Sequence, residues 1–186
     1  MTAASSSTQA ATETSGVGVL AGYGRHDAPF GGYAALVASF NVLFTGLLLF
    51  GRRLGRPLPE RVAPVDLLVL GIATHKLSRL IAKDSVTSVL RAPFAEYVEP
   101  AGPSEVNEKP RGHGLRLAIG ELVTCPFCIG QWIAASFGCG LVLAPRLTRL
   151  VGAVFAMVSV ADFLHYGYEA ARKAAEQPVS SDDKKS

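Results

Sequence analysis

The sequence predicts an all-α integral membrane protein, a bundle of three or four transmembrane helices with an interfacial amphipathic helix. Three observations carry that reading. Gly31–Phe50 is a run of twenty residues without a charge, about 30 Å long as a helix and so as thick as a bilayer core. Hydrophobic residues make up 49% of the chain and charged residues 18%, mean hydropathy is +0.29, and the apolar residues fall in blocks. No long block alternates with the period of a strand, and a membrane core admits only helices or closed barrels. The expectation is therefore a bundle with no sheet. The net charge of +3 is spread over loops. With no basic patch interleaved with aromatics, it argues against nucleic acid as a partner. The partners expected are the lipid bilayer, other membrane proteins or a second copy of the chain.

Residues 1–30 are rich in Ala, Ser, Thr and Gly without apolar periodicity and read as a disordered tail. No basic residue precedes Arg25, so a cleaved secretory signal is not expected. Gly31–Phe50 is the first span, with Tyr33 at headgroup level. Arg52, Arg53, Arg56 and Arg61 follow in a linker punctuated by Pro57, Pro59 and Pro64. Val65–Ala82 is the second span. Its first half is apolar apart from Asp66, whereas His75, Lys76, Arg79 and Lys83 form a basic stripe over its second half. Asp84 is placed to cap an amphipathic helix in which Val86, Leu90 and Phe94 recur every four residues. Residues 99–114, EPAGPSEVNEKPRGHG, read as an exposed loop. Leu115, Ile119 and Leu122 form a short apolar edge behind it. The third span runs from the cysteine turn to Ala144 and is rich in small residues that favour close packing. After a short hairpin at Pro145, Arg146 and Arg149 comes a last span, Leu150–Leu164, broken by Asp162, and residues 171–186 read as a second disordered tail.

The chemically distinctive stretch is TCPFCIGQWIAA, residues 124–135. With Thr124 as N-cap and Pro126 in the first turn, Cys125 and Cys128 lie on one face of a helix mouth, with Trp132 and Cys139 further along it. A helix N-terminus favours thiolate, so the pair reads as a redox dithiol or half of a metal site, zinc being the candidate. The plainer alternative is two small residues at a tight junction. Three cysteines with one close pair do not make a disulfide framework.

The series THKLSRLIAKDSVTSVLRAPF (residues 74–94), followed by LVTCPFCIGQWIAA (residues 122–135), resembles a family of small bacterial membrane proteins known as domain of unknown function 1360, which includes a sporulation-linked protein. Arg79, Leu80, Asp84 and Arg91 match its first motif, with Lys76 where an Arg is common. Cys125, Cys128, Gly130 and Trp132 match its second. The likeness covers about residues 65–165 and leaves Gly31–Phe50 as an extra span in front. It implies that Val65–Ala82 crosses the membrane, and it implies no activity.

Nothing else in the chain forms a recognisable catalytic constellation. There is no G-x-S-x-G, no phosphate-binding loop and no paired carboxylates, and the four histidines are scattered. The leading reading is thus a non-enzymatic structural or assembly partner, multi-pass in a bacterial cytoplasmic membrane. The alternative is a membrane thiol–disulfide protein, or a metal site in which Cys125 and Cys128 recruit His75 or His113. The arginine-rich linker favours an N-terminus outside, which would put the cysteines at the outer face. Asp162, His165 and Glu169 form an acidic stripe on the last span, on the same side of the bundle as the basic stripe of the second. The expectation is that Asp162 pairs with Arg79 or His75.

Overall fold

This computed structural model describes residues 29–176, and among these residues there are six helices and one β-ribbon. The expected N-terminal tail falls outside those residues except for Pro29 and Phe30, as do residues 177–186. Helix α1 (Phe30–Arg53) is 24 residues long and so spans about 36 Å. It closes with Gly55 at φ 70°, where the Arg56 N–H reaches the Gly51 carbonyl and the Gly55 N–H reaches Arg52. A residue bearing a Cβ would be strained in that left-handed turn.

Helix α2 (Pro64–Lys83) opens with proline at its first position, where no N–H is missed. A single helical turn, α3 (Ser88–Arg91), follows. Strands β1 (Ala95–Gly102) and β2 (Glu105–Pro110) then pair antiparallel as a two-stranded ribbon. Helix α4 (Leu115–Thr124) leads into α5 (Pro126–Leu143), and α6 (Pro145–Glu176) ends the described chain. Only Ala144 separates α5 from α6. A Cβ on Gly140 would stand 2.5 Å from Thr148 Oγ1, so the glycine lets this tight turn close.

The contacts fix the directions of the helices. Asp66 meets Arg149, Leu70 lies against Gly152 and Lys76 meets Asp162, so α2 and α6 run the same way. Phe40 packs on Trp132, and Gly51 lies beside Val142, so α1 and α5 run together in the opposite sense. The centre of the bundle is Leu70, Ala73, Ile133 and Phe137, flanked by Leu77, Ile81, Ile129, Leu141 and Phe155. The outer faces remain apolar. Val42 and Leu43 on α1, Leu67 and Leu68 on α2 and Met157 on α6 are exposed.

Helices α1, α5 and α6 are long and apolar enough to cross a membrane. Large apolar side chains facing outward on such helices suit a membrane environment. This is a membrane protein of predominantly helical architecture.

Four expectations need correction. The loop expected at residues 99–114 is mostly ribbon, because carboxylates on β2 are held by arginines of the helices. The amphipathic helix expected from Asp84 shrinks to α3: Asp84 is the C-cap of α2, and Arg91 turns inward to the end of that helix. Helix α6 starts five residues earlier than the expected Leu150 and runs to Glu176, so residues 171–176 are helical. Thr124 ends α4, where its hydroxyl donates to the Gly120 carbonyl, and Cys125 takes the N-cap position of α5.

Candidate functional site

All the chemistry-bearing side chains of interest gather at one end of the bundle, under a cap built from α3, the ribbon and α4. Arg91 is its keystone. Fully buried, it donates Nε to Glu108 at 2.5 Å, Nη1 to the Ile81 carbonyl at 2.6 Å and to Thr87 Oγ1 at 2.7 Å, and Nη2 to the Asp84 carbonyl at 2.9 Å. A helix leaves its last carbonyls unpaired, and a cation is favoured there. Arg91 satisfies two acceptors at the end of α2, while its ion pair with the buried Glu108 fixes the ribbon. Arg79 holds the other strand end through a bidentate bond to Glu105, with the shortest N···O at 2.5 Å. The Asp84 carboxylate accepts the Val86 N–H at 2.9 Å and so shapes the turn after α2. Arg79, Asp84 and Arg91 therefore have one common task, which is to pin the cap to the bundle.

The cysteines lie on the other flank of the cap. At the α4–α5 junction Cys125 Sγ accepts the Cys128 N–H at 3.3 Å, and the two sulfurs are 2.7 Å apart. Both are free thiols, Cys128 exposed and Cys125 partly so. Proline at the first position of α5 and the sulfur cap fix the helix mouth that brings them together. Trp132, one turn deeper, packs edge-to-face on Phe40 with centroids 5.3 Å apart. Beyond it, Cys139 is buried and its sulfur lies 4.0 Å from the Phe44 carbonyl. Cys128 opens onto a cleft of about 540 Å³ between α1, α4 and α5, whose lining includes Tyr33, Val37, Phe40, Glu121, Gln131 and Trp132. The Tyr33 hydroxyl donates to the Glu121 carboxylate at its rim. A Cβ on Gly130 would meet Ser78 Cβ at 3.8 Å, an ordinary contact, so α2 leaves room for a small side chain at this position.

Asp162 does meet α2, but through Lys76 rather than Arg79 or His75. The Nζ–Oδ2 distance is 2.5 Å, and Arg79 is committed to Glu105. His75 instead stacks near Phe163, centroids 6.4 Å apart. His165 and Glu169 border a second, polar cleft of about 800 Å³ between α2, α6 and the ribbon turn, and Glu169 pairs with Arg172. Among the described residues no three His, Cys, Asp or Glu side chains are grouped to hold a metal ion. Nothing in the sequence pattern marks Glu105, Glu108, Glu121 or Phe40, because each acquires its role only through a contact with a distant element.

Residues 69–168, more than half of the chain, match the family described as protein of unknown function (DUF1360). The chain belongs to that family. Within it, the chain is 34% identical over 73 residues to sporulation protein YjcA of Bacillus subtilis (strain 168), an alignment covering 38% of this chain and 62% of that protein. It is 26% identical over 91 residues to UPF0713 protein YngL of the same organism, covering 47% of this chain and 66% of that protein. The chain thus spans just under two thirds of the length of each relative. No solved structure matches it. The matched segment takes in most of α2, all of the cap and α5, and most of α6, whereas α1 lies outside it.

Proposed function

We propose that this chain is a multi-pass protein of a bacterial cytoplasmic membrane that uses Cys125 and Cys128 as a reversible dithiol. The observation that carries the proposal is the pair of free sulfurs 2.7 Å apart at a helix mouth, one of them exposed. Paired cysteines at a helix N-terminus are the usual setting of exchange-active thiols. Oxidation removes two protons and two electrons from the pair and forms one S–S bond. A closed zinc site needs four ligands, and among the described residues the pair is not part of a group of three His, Cys, Asp or Glu side chains able to hold a metal, which supports reading it as a dithiol. A second reading, a non-enzymatic assembly partner, draws on the exposed Phe163, Leu164, Tyr166 and Tyr168 along α6 and on the sporulation name of one relative.

The test is alkylation of the protein in native membranes with a mass-adding maleimide, with and without prior mild reductant, and with zinc measured on the purified protein. The expected result is that Cys125 and Cys128 resist alkylation until reduced. Full labelling of both before reduction and again after a mild oxidant would overturn the proposal and leave the assembly reading. Stoichiometric zinc would overturn it in favour of a metal centre.

A further inference from the structure

The cleft beside Cys128 has the shape and lining of a site for a lipid-soluble electron acceptor. We propose that it binds the ring of a membrane quinone, which takes the two electrons of the Cys125–Cys128 pair. This rests on the dithiol reading and adds to it the identity of the acceptor.

The first argument is electron balance. The chain has three cysteines in all. The third, Cys139, lies eleven residues beyond Cys128 on α5, about 16 Å along the axis, and is buried against α1. No second dithiol exists in the chain to receive electrons from the first, so a turnover needs an acceptor from elsewhere. The second argument is the path. The exposed sulfur, Cys128, opens into the cleft, whose walls are mainly aliphatic and aromatic. Its volume of about 540 Å³ lies within the ~300–1,000 Å³ typical of small-molecule sites. One wall is α1, a helix apolar enough to cross a membrane, and Val37 on that wall is exposed on the outside of the bundle. A ligand entering here comes from lipid.

The third argument is recognition. Phe40 and Trp132 offer ring faces and edges for a planar ring. Gln131 offers an amide N–H at the same cleft, and the Tyr33–Glu121 pair stands at its rim as a proton relay. The step balances as follows. Cys128 sulfur adds to a ring carbon of the quinone and forms a transient C–S bond, and Cys125 sulfur then attacks Cys128 sulfur, breaking that C–S bond and releasing the reduced ring. Two S–H bonds break, one S–S bond forms, and two protons with two electrons arrive on the quinone oxygens as hydroquinone.

Trp132 is the single tryptophan of the chain and stands in the cleft wall, so its fluorescence reports this site alone. The experiment uses the reduced full-length protein in detergent and a short-tailed benzoquinone with every ring position substituted, which cannot form stable thiol adducts. Expected are saturable quenching of Trp132, loss of two alkylatable thiols and formation of one equivalent of hydroquinone. Phe40→Ala, and independently Val37→Phe to narrow the entrance, should each raise the quinone concentration for half-maximal rate by about tenfold. A parallel sample of the native sequence is treated with diamide, a general thiol oxidant. If diamide closes the pair and the quinone neither quenches nor oxidises, the quinone site is wrong and the dithiol stands. If neither reagent oxidises the pair, the dithiol reading falls and takes the quinone site with it.

Discussion

Arg91 shows how a single residue can decide an architecture. Its guanidinium is fully buried, and Glu108, its carboxylate partner, is buried almost as deeply, with 5% of its side chain exposed. Removing one member of such a pair strands the other away from water, at a cost of about 3–5 kcal/mol, whereas replacing both by apolar residues of similar size is far less harmful. Arg91→Met alone should therefore lower the midpoint of thermal unfolding in detergent sharply, and Glu108→Met alone should do likewise. The double variant should lose clearly less than the sum. Its residual loss reports the carbonyls of Ile81 and Asp84 left without a donor. Strictly additive losses would show that the two side chains are not coupled and that the cap is held by other means. The sequence marks Arg91 through its motif, but its acceptor Glu108 sits in a polar stretch that looks like solvated loop. A carboxylate becomes structural only when its pairing with a helix arginine is known, and that pairing spans seventeen residues.

At the scale of elements, α2 and α6 show what periodicity can and cannot tell. Helical spacing correctly places a basic stripe on α2 opposite an acidic stripe on α6, on one side of the bundle. Which cation meets Asp162 depends on the axial register and rotation of the two helices: of the two expected partners, Arg79 lies about one helical turn from the observed Lys76, and His75 is its chain neighbour on a different side of the helix. That register is set by Leu70 seated against Gly152, where a Cβ would collide with the leucine, and sequence periodicity does not encode it. The long apolar helices were legible because length and apolarity alone define them. The ribbon was not, because its strands are polar and gain their stability from Arg79 and Arg91 rather than from an alternating apolar face. The spacing of Cys125 and Cys128 was legible as a helical pair, while the cleft that Cys128 faces needs α1 and α4 in place. The register makes a prediction. In a double-mutant cycle with Lys76→Met and Asp162→Asn, the coupling should fall in the upper part of the ~0.2–1 kcal/mol range of exposed pairs, since Lys76 is only 19% exposed although Asp162 is 41% exposed. The same cycle with Arg79→Gln in place of Lys76→Met should show simple additivity, and coupling there would contradict the observed register.

For the whole molecule, the proposed placement in a cytoplasmic membrane leaves a choice of which end of the bundle faces inward, and the two ends differ in the state of their cations. At one end Arg52, Arg53, Arg56 and Arg61 follow α1 directly, and Arg146 and Arg149 stand at the α5–α6 turn. Only Arg149 of these six has an ion-pair partner among the described residues, Asp66. At the cap end, Lys76, Arg79 and Arg91 are paired with carboxylates, and Arg111 and Arg116 donate to the carbonyls of Ala92 and Pro93. Those cations belong to a folded cap rather than to a short loop flanking the bilayer. Orientation follows Lys and Arg in short loops beside the spans, so the arginine-rich end should be cytoplasmic and the cap should face outward. The N-terminus of α1 and the mouth of α5 would then share the outer side, where an oxidising environment lets a dithiol cycle through a disulfide. A membrane-impermeant maleimide applied to intact cells tests this directly. A variant retaining Cys128 alone, made by Cys125→Ser and Cys139→Ser, should label without lysis. A cysteine introduced as Leu58→Cys, in a background with the native cysteines replaced by serine, should label only after the membrane is opened. The reverse pattern would place Cys125 and Cys128 in the reducing cytosol. A standing disulfide would then be out of reach, and only transient oxidation during turnover would be left to the pair.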